Sequence, residues 1–491
     1  MPALAANATA EISPPSAARR IAVIGGGISG LAAAHRLVEL APAARVTLLE
    51  ASDRLGGVLQ TIRRDGWLIE RSADMFTTRE PWALDLCRRI GIADELIETD
   101  VRFRRAFVVR RGKLLPVPEG FTLMSPAKIW PILTTPILSP LGKLRLAWER
   151  FIPCRRDDAD ESLQSFVVRR FGREAFDRLI QPLIGGIYTA DPAKLSMQGT
   201  LPQFVELERK FGSLIRGMRQ RGKNQVPGAA SQKTAESGAR YGQFLAPRDG
   251  MGRLVEGVAA RLPVGCVRLN SPVERIERDR EQWCLWLGNQ AECFDAVVLA
   301  TSGAVSYRLL AMVDAELAAL VKQIPYAGCS VAILGVRRDQ LRHPLDGFGF
   351  VVPAMENRRI IAGSLASVKF PGRAPTHRVL LRVFVGGALQ PELAHLPDDE
   401  VRGLVLTELR ELLGLAGMPE FFEVARWLGM MPQYHVGHLD LIRRIEARAS
   451  AIPNFALAGN AYRGVGVPFC VNQGEQAAER ILSRQVAPVE T

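Results

Sequence analysis

The stretch "VIGGGISGLAAAHRL", residues 23–37, decides the fold. Gly25, Gly27 and Gly30 stand in G-x-G-x-x-G spacing, with the apolar run "IAVI" before them and an Ala/Leu-rich run after them. That order reads as strand, tight turn and helix. The first glycine allows the turn, the second lets backbone approach a pyrophosphate, and the third lets helix pack on strand. Gly26, Ile28 and Ser29 belong to the same cradle, because a helix N-terminus offers unpaired N–H groups to an anion. A second apolar run, "RVTLLE", ends in Glu50, 20 residues beyond Gly30. A carboxylate there accepts hydrogen bonds from ribose hydroxyls and repels a 2′-phosphate. A dinucleotide is the expected ligand, with FAD and NAD both open at this point.

The 491 residues exceed what one hydrophobic core serves, so at least two domains are expected. A content of 47% hydrophobic and 23% charged residues excludes disordered, collagen-like and disulfide-rich classes. The seven cysteines are scattered and never in C-x-x-C spacing, which argues against a disulfide framework or a zinc site and for a reducing compartment. The net charge of +12 favours anionic partners such as carboxylated substrates or acidic headgroups. The basic residues are dispersed, so no nucleic-acid partner is expected. Residues 1–18 read as a flexible leader without the basic region and apolar run of a secretory signal, and a cytoplasmic location is expected.

Along the chain the pattern weaves between domains. An FAD-binding domain is expected from residues 19–100, 243–310 and 440–485, and a substrate domain from residues 101–126 and 311–439. A helical subdomain is expected over residues 127–220 and a mobile loop over residues 221–242. The fold class is thus α/β: a Rossmann-like nucleotide domain interleaved with a mixed-sheet substrate domain and a helical subdomain. Residues 127–148, "AKIWPILTTPILSPLGKLRLAW", are too interrupted by Pro131, Pro136 and Pro140 to span a bilayer. Their Trp130, Trp148 and basic flanks suit peripheral contact with a membrane interface.

Two further motifs choose the cofactor. "DRLGG" follows Glu50, and its Arg54, Gly56 and Gly57 combine a cation with two glycines that let backbone pass beneath a pyrophosphate. Near the other end, "NFALAGNAYRGVGVPFC" carries a buried strand, a turn at Gly459, and a helix expected to begin near Asn472. A helix N-terminus there stabilises negative charge on a reduced isoalloxazine. These features select FAD. His435 and His438 are three apart without a third ligand, so no metal is expected, and Cys470 is read as a small buried side chain.

"IGGGISGL", Glu50, "DRLGG", "SPV" at residues 271–273, "QPLIGGIYTADPAKLSM", "MPQYHVGH" and "AYRGVGVP" together resemble the oxygen-dependent protoporphyrinogen oxidase family of the flavin amine oxidase superfamily. The resemblance implies an FAD enzyme of haem biosynthesis that converts protoporphyrinogen IX to protoporphyrin IX in three two-electron steps, with molecular oxygen as acceptor and hydrogen peroxide as by-product. It implies no catalytic side chain, since the flavin carries the redox chemistry. It assigns Val273, Trp427, Val465, Gly466 and Val467 to FAD, and Gly186, Val351 and Phe370 to substrate. A propionate-binding Arg of the family falls at Ala106, leaving the adjacent Arg104 and Arg105 as the expected anion contacts. The family's "GPNSF" is replaced by Ser72, Ala73, Asp74, Met75 and Phe76. The apolar slot favours protoporphyrinogen IX over coproporphyrinogen III, which stays as the alternative alongside another amine oxidase-like oxidoreductase, a carotenoid desaturase and a binding protein without flavin chemistry. The oligomeric state is left open, a homodimer included.

Overall fold

The computed structural model describes residues 18–122, 124–126, 130–155, 157–223 and 243–483. The expected leader, save Ala18, and residues 224–242 of the expected loop lie outside the described residues.

A five-stranded parallel sheet forms the nucleotide side, in the order Val267–Arg268, Arg45–Leu49, Arg20–Ile24, Ala296–Leu299, Phe455–Leu457. Its central strand alternates between two cores. Ile21 and Val23 join the cluster under the helices Ile28–Leu40 and Val467–Ser483, while Ala22 and Ile24 join the cluster on the opposite face. A strand covered on both faces reads as one continuous apolar run, which is why "RIAVI" has no polar alternation. The two helices approach so closely that a Cβ at Gly474 would overlap the Ser29 carbonyl.

The second sheet has seven strands, in the order Phe421–Pro432, Tyr326–Arg337, Arg378–Gly386, Ala362–Leu365, Gly349–Val351, Ala106–Arg110, Lys113–Pro116. The strand Ala106–Arg110 sorts its side chains by period two. Phe107 and Val109 enter the core shared with the helix Asp398–Leu413, whereas Ala106 and Val108 enter the core of the helical layer. That layer includes the helices Leu163–Phe171, Gln181–Tyr188 and Pro202–Phe211, with one π-helical turn at Phe176–Ile180. Farther across the same face, Val331, Ile333 and Ala425 pack instead on Trp67 and Ile69 of the nucleotide side. The sheet is therefore a shared wall, with helices over one end and the nucleotide domain over the other.

Four expectations need correction. The helix Ala315–Lys322, placed in the substrate domain by its position after residue 310, packs through Leu317, Leu320 and Val321 into the core of the parallel sheet, so the crossing falls just before Tyr326. The C-terminal helix begins at Val467 rather than near Asn472, because a proline is tolerated in a first turn whose N–H groups have no intrahelical partner. The helix Leu214–Lys223 carries three residues into the segment read as a loop from residue 221. Finally, Cys284 and Cys293 are disulfide-bonded, being directly opposite each other on antiparallel strands, while the other five cysteines are free. Register, which spacing along the chain does not reveal, brings them together.

Candidate functional site

The glycine turn has the shape that a pyrophosphate needs. Gly25 has φ +103°, and a Cβ there would lie 2.6 Å from the Ala300 carbonyl oxygen. A Cβ at Gly30 would overlap the Gly25 carbonyl, whereas one at Gly27 meets nothing within 4 Å. Two glycines are thus required by the protein's own packing, and the third faces open space at the start of the helix Ile28–Leu40. Gly27 caps that helix with no side-chain hydrogen bond, so its first-turn amides remain for an anion.

Glu50, at the end of its strand, is bound by its own surroundings. Its Oε2 accepts from Gly26 N at 2.6 Å, and its Oε1 accepts from Ser52 N at 2.8 Å and Ser52 Oγ at 2.7 Å. A carboxylate has about four acceptor positions, so one on Oε2 is left for a ribose hydroxyl. The loop carrying "SPV" is bonded to the same corner through Ser271 N to Glu50 O at 2.8 Å, which brings Val273 there, 6% exposed. Below the turn, Gly56 N donates to Gly26 O at 2.8 Å, and Gly57 comes close enough that its Cβ would lie 3.2 Å from Gly27 Cα. Arg54 turns onto its own loop, donating to the carbonyls of Leu55, Gly57 and Leu59. Its first task is closing that loop.

The C-terminal motif completes the cradle. Gly459 and Gly464 take φ of +131° and +120°, and Gly464 N donates to Tyr434 Oη at 2.7 Å. The Tyr434 hydroxyl donates in turn to Asn460 O at 2.5 Å, and burial raises its pKa well above the ordinary value. Val465 and Gly466 lead into the helix Val467–Ser483, whose first turn carries no acidic residue. Trp427 donates from Nε1 to Arg71 O at 2.6 Å, tying the substrate sheet to the segment 71–76. His438 stacks on Tyr434 with ring centroids 3.9 Å apart and meets the Tyr462 carbonyl at 3.0 Å through Nε2. Burial holds its imidazole at about 4, so it is a neutral structural group. Open glycine face, carboxylate corner and helix N-termini fit a flavin dinucleotide, which these residues would hold.

On the substrate side, Gly186 and Val351 do come together. A Cβ at Gly186 would lie 3.2 Å from Val351 Cγ1 and 3.9 Å from Ala362 Cβ, so only a glycine keeps that part of the helix flush with the sheet. Phe370 is sealed in the interior, 1% exposed, with the Arg373 guanidinium 5.4 Å from its ring centroid. Arg104 is buried and donates to Glu98 at 2.8 Å and to Thr99 Oγ1 at 3.2 Å; Arg105 pairs with Asp346 at 3.0 Å. Both guanidinia serve this chain's own acceptors.

Sequence reasoning missed a buried charge cluster on the same sheet. Asp74 Oδ2 lies 2.8 Å from Lys369 Nζ and 3.0 Å from Arg382 Nη1. Burial opposes the Asp74 charge, but Lys369 and Arg382 outweigh it and hold the carboxyl well below the usual range. Arg382 also donates to Ser72 O. The signal was present: an arginine inside the apolar strand "RVLLRVFVG" needs a buried partner. That partner comes from a segment 308 positions earlier, which no local pattern exposes.

The comparisons agree with this geometry. Residues 28–482 match the family model described as flavin containing amine oxidoreductase. The chain is 34% identical over 472 residues to the coproporphyrinogen III oxidase of Bacillus subtilis (strain 168), covering 95% of this chain and 98% of that one. It is 28% identical over 489 residues to protoporphyrinogen oxidase 2, chloroplastic/mitochondrial, of Arabidopsis thaliana, covering 95% and 94%. The crystal structure of a putative protoporphyrinogen oxidase from Exiguobacterium sp. 255-15 superposes with a TM-score of 0.84 at 32% identity, covering 95% of this chain and 99% of the other. Matched over nearly its whole length, the chain belongs to the flavin-containing amine oxidoreductase family, in its protoporphyrinogen oxidase branch, and is an oxidoreductase whose cofactor is FAD.

Proposed function

We propose that the protein oxidises a porphyrinogen to the porphyrin with molecular oxygen as acceptor, six electrons leaving in three two-electron steps and reducing three oxygen molecules to hydrogen peroxide. The observation that carries this reading is the likeness, over 95% of this chain, to a coproporphyrinogen III oxidase and to a protoporphyrinogen oxidase. When bound, FAD supplies the redox chemistry. The chain's residues bind and orient. Gly27 and the first-turn amides of Ile28–Leu40 would hold the pyrophosphate, the N-terminus of Val467–Ser483 would favour negative charge on a bound flavin, and the apolar side chains of Val351 and Ala362 would exclude water from the macrocycle.

Protoporphyrinogen IX is the substrate expected from the resemblance. Coproporphyrinogen III has a specific observation behind it as well: 34% identity to a coproporphyrinogen III oxidase, against 28% to a protoporphyrinogen oxidase over a similar span. Aerobic incubation of the holoenzyme with each substrate, followed by porphyrin fluorescence and compared as kcat/KM, tests both. Failure to oxidise either overturns the proposal, and the ratio of the two assigns the preference.

The helical layer supports a second, peripheral role. Trp130, Leu141, Leu144, Trp148 and Phe151 are 55–78% exposed within one short segment that also carries Lys143 and Arg150. Among the described residues no helix is long and apolar enough to cross a membrane. We read the segment as resting in the interface of anionic lipid on the cytoplasmic face. Co-flotation with anionic liposomes at low salt is expected, and protein left wholly at the bottom removes the idea.

A further inference from the structure

We propose that a cavity ringed by Arg110, Arg111 and Arg178 is a carboxylate subsite that receives one propionate side chain of the porphyrinogen. The inference rests on the substrate reading above and deepens it. The cavity has a volume of about 330 Å³ and lies between the strand Ala106–Arg110, the π-helical turn Phe176–Ile180 and the turn Ala354–Glu356.

Its position follows from strand geometry. Val108 is the register partner of Val351, the residue beneath Gly186. Arg110 is two residues on and projects to the same face, about 7 Å along the strand. The cavity therefore lies on the side of the sheet on which Gly186 packs. Ala106, where a propionate-binding arginine was expected from the resemblance, is on that same face. The cation is absent from one end of the strand face and present at the other.

The electrostatics call for an anion. Three guanidinium groups line the cavity against one acid, Glu356. Arg178 is already held by Glu174 and by the Ile137 carbonyl at 3.2 Å, which fixes it in place. Arg110 is different: its Nη1 is buried and has no hydrogen-bond partner. A buried, unpaired guanidinium N–H is costly, and a carboxylate accepting it would turn that cost into a charge-assisted bond. Burial, and after it the charges of Arg178 and Arg111, pull the Arg110 pKa below its ordinary value, with Glu174 and Glu356 opposing them only in part. Val108 gives the cavity an apolar side, and Met355, 51% exposed, stands at its mouth. An apolar wall ending in arginines matches the methylenes and terminal carboxylate of a propionate. A substrate with carboxylates on all four rings always presents one here, whichever ring leads.

The test is equilibrium titration of the FAD-loaded protein with coproporphyrin III, the tetracarboxylate porphyrin, read by quenching of protein fluorescence. Arg110→Gln is expected to weaken binding about tenfold and to lower the salt dependence of the dissociation constant, and Arg110→Lys to restore part of both. Met355→Glu places a carboxylate at the mouth while leaving every arginine intact, and is expected to weaken binding at least fivefold. FAD content is measured for each variant. Should Arg110→Gln not fold, Met355→Glu decides alone. Binding unchanged in the variants that fold, or absent in the parent protein, overturns the subsite. Turnover measured in parallel keeps the two proposals apart: a parent that oxidises porphyrinogen while the variants bind as it does refutes only the subsite, and a parent that binds coproporphyrin III through Arg110 but oxidises no porphyrinogen refutes only the function.

Discussion

Replacing Asp74 by Asn should destabilise the protein more than any other single change that preserves side-chain shape in the shared wall. The Asp74 side chain is 12% exposed, that of Lys369 7% and that of Arg382 2%, so all three charges are held out of water. Asparagine keeps the volume and one acceptor but removes the anion. Two buried cations then lose their direct counter-charge, Arg373 adds a third nearby, and of the described acids only Glu70, which acts on Arg373 and Arg382, remains buried among them. Breaking a buried ion pair from one side costs about 3–5 kcal/mol, because the remaining charge is uncompensated. Urea denaturation of the FAD-loaded protein at neutral pH, followed by circular dichroism, measures the loss. The double variant Asp74→Asn, Lys369→Met should recover part of it, since one of the stranded cations is gone. The pH dependence gives a second reading. A carboxyl whose folded pKa is depressed contributes stability that is present above its unfolded value, about 3.9, and lost as pH falls below it. The parent should lose stability on acidification through that window, and Asp74→Asn should lose less. A loss under about 1 kcal/mol at neutral pH, with both cations retained, would refute the claim that the triad is a closed buried network.

The glycine turn separates fold from binding. Gly30→Ala should lower stability by several kcal/mol and yield little folded protein, because its Cβ meets the Gly25 carbonyl. Gly27→Val should instead fold and lose FAD, its Cβ entering the space left for pyrophosphate; a Gly27→Val protein that keeps its full flavin absorbance after gel filtration contradicts the assignment. His438, held at about 4 against an ordinary 6.5, is neutral in the folded chain, so the unfolded chain binds the extra proton between those values and stability must fall as pH drops through them. The contribution is about 3 kcal/mol by pH 4, and a pH series of denaturation midpoints for the parent and His438→Gln should show the flatter profile in the variant.

The order strand, glycine turn, helix, strand, acid was legible from residues 20–50 alone, because each of those steps is a local rule: period, backbone freedom and a cap without a side chain. The C-terminal helix was legible too, though five residues late, since Pro468 looked like a boundary and is in fact a first-turn residue. Gly186 and Val351 were named from resemblance, and their contact across helix and strand bears on a pairing that no spacing in the sequence states. Other features came only with tertiary structure. Arg382 reads as an error in an apolar strand until Asp74 is brought beside it from another domain. Cys284 and Cys293 read as scattered until an antiparallel register sets them 4.2 Å apart at Cα. Arg104 and Arg105 read as an anion site until Glu98 and Asp346 are found to hold them, while Arg110, at the end of the strand that follows them, lines a cavity and keeps a buried Nη1 without a partner. The sequence by itself determined which elements form and which cofactor they cradle, because backbone conformation and hydrophobic period act over a few residues. Only the tertiary structure decided which charges are spent and which are available, because a charge is neutralised by whatever the fold brings within a few ångströms, however distant along the chain.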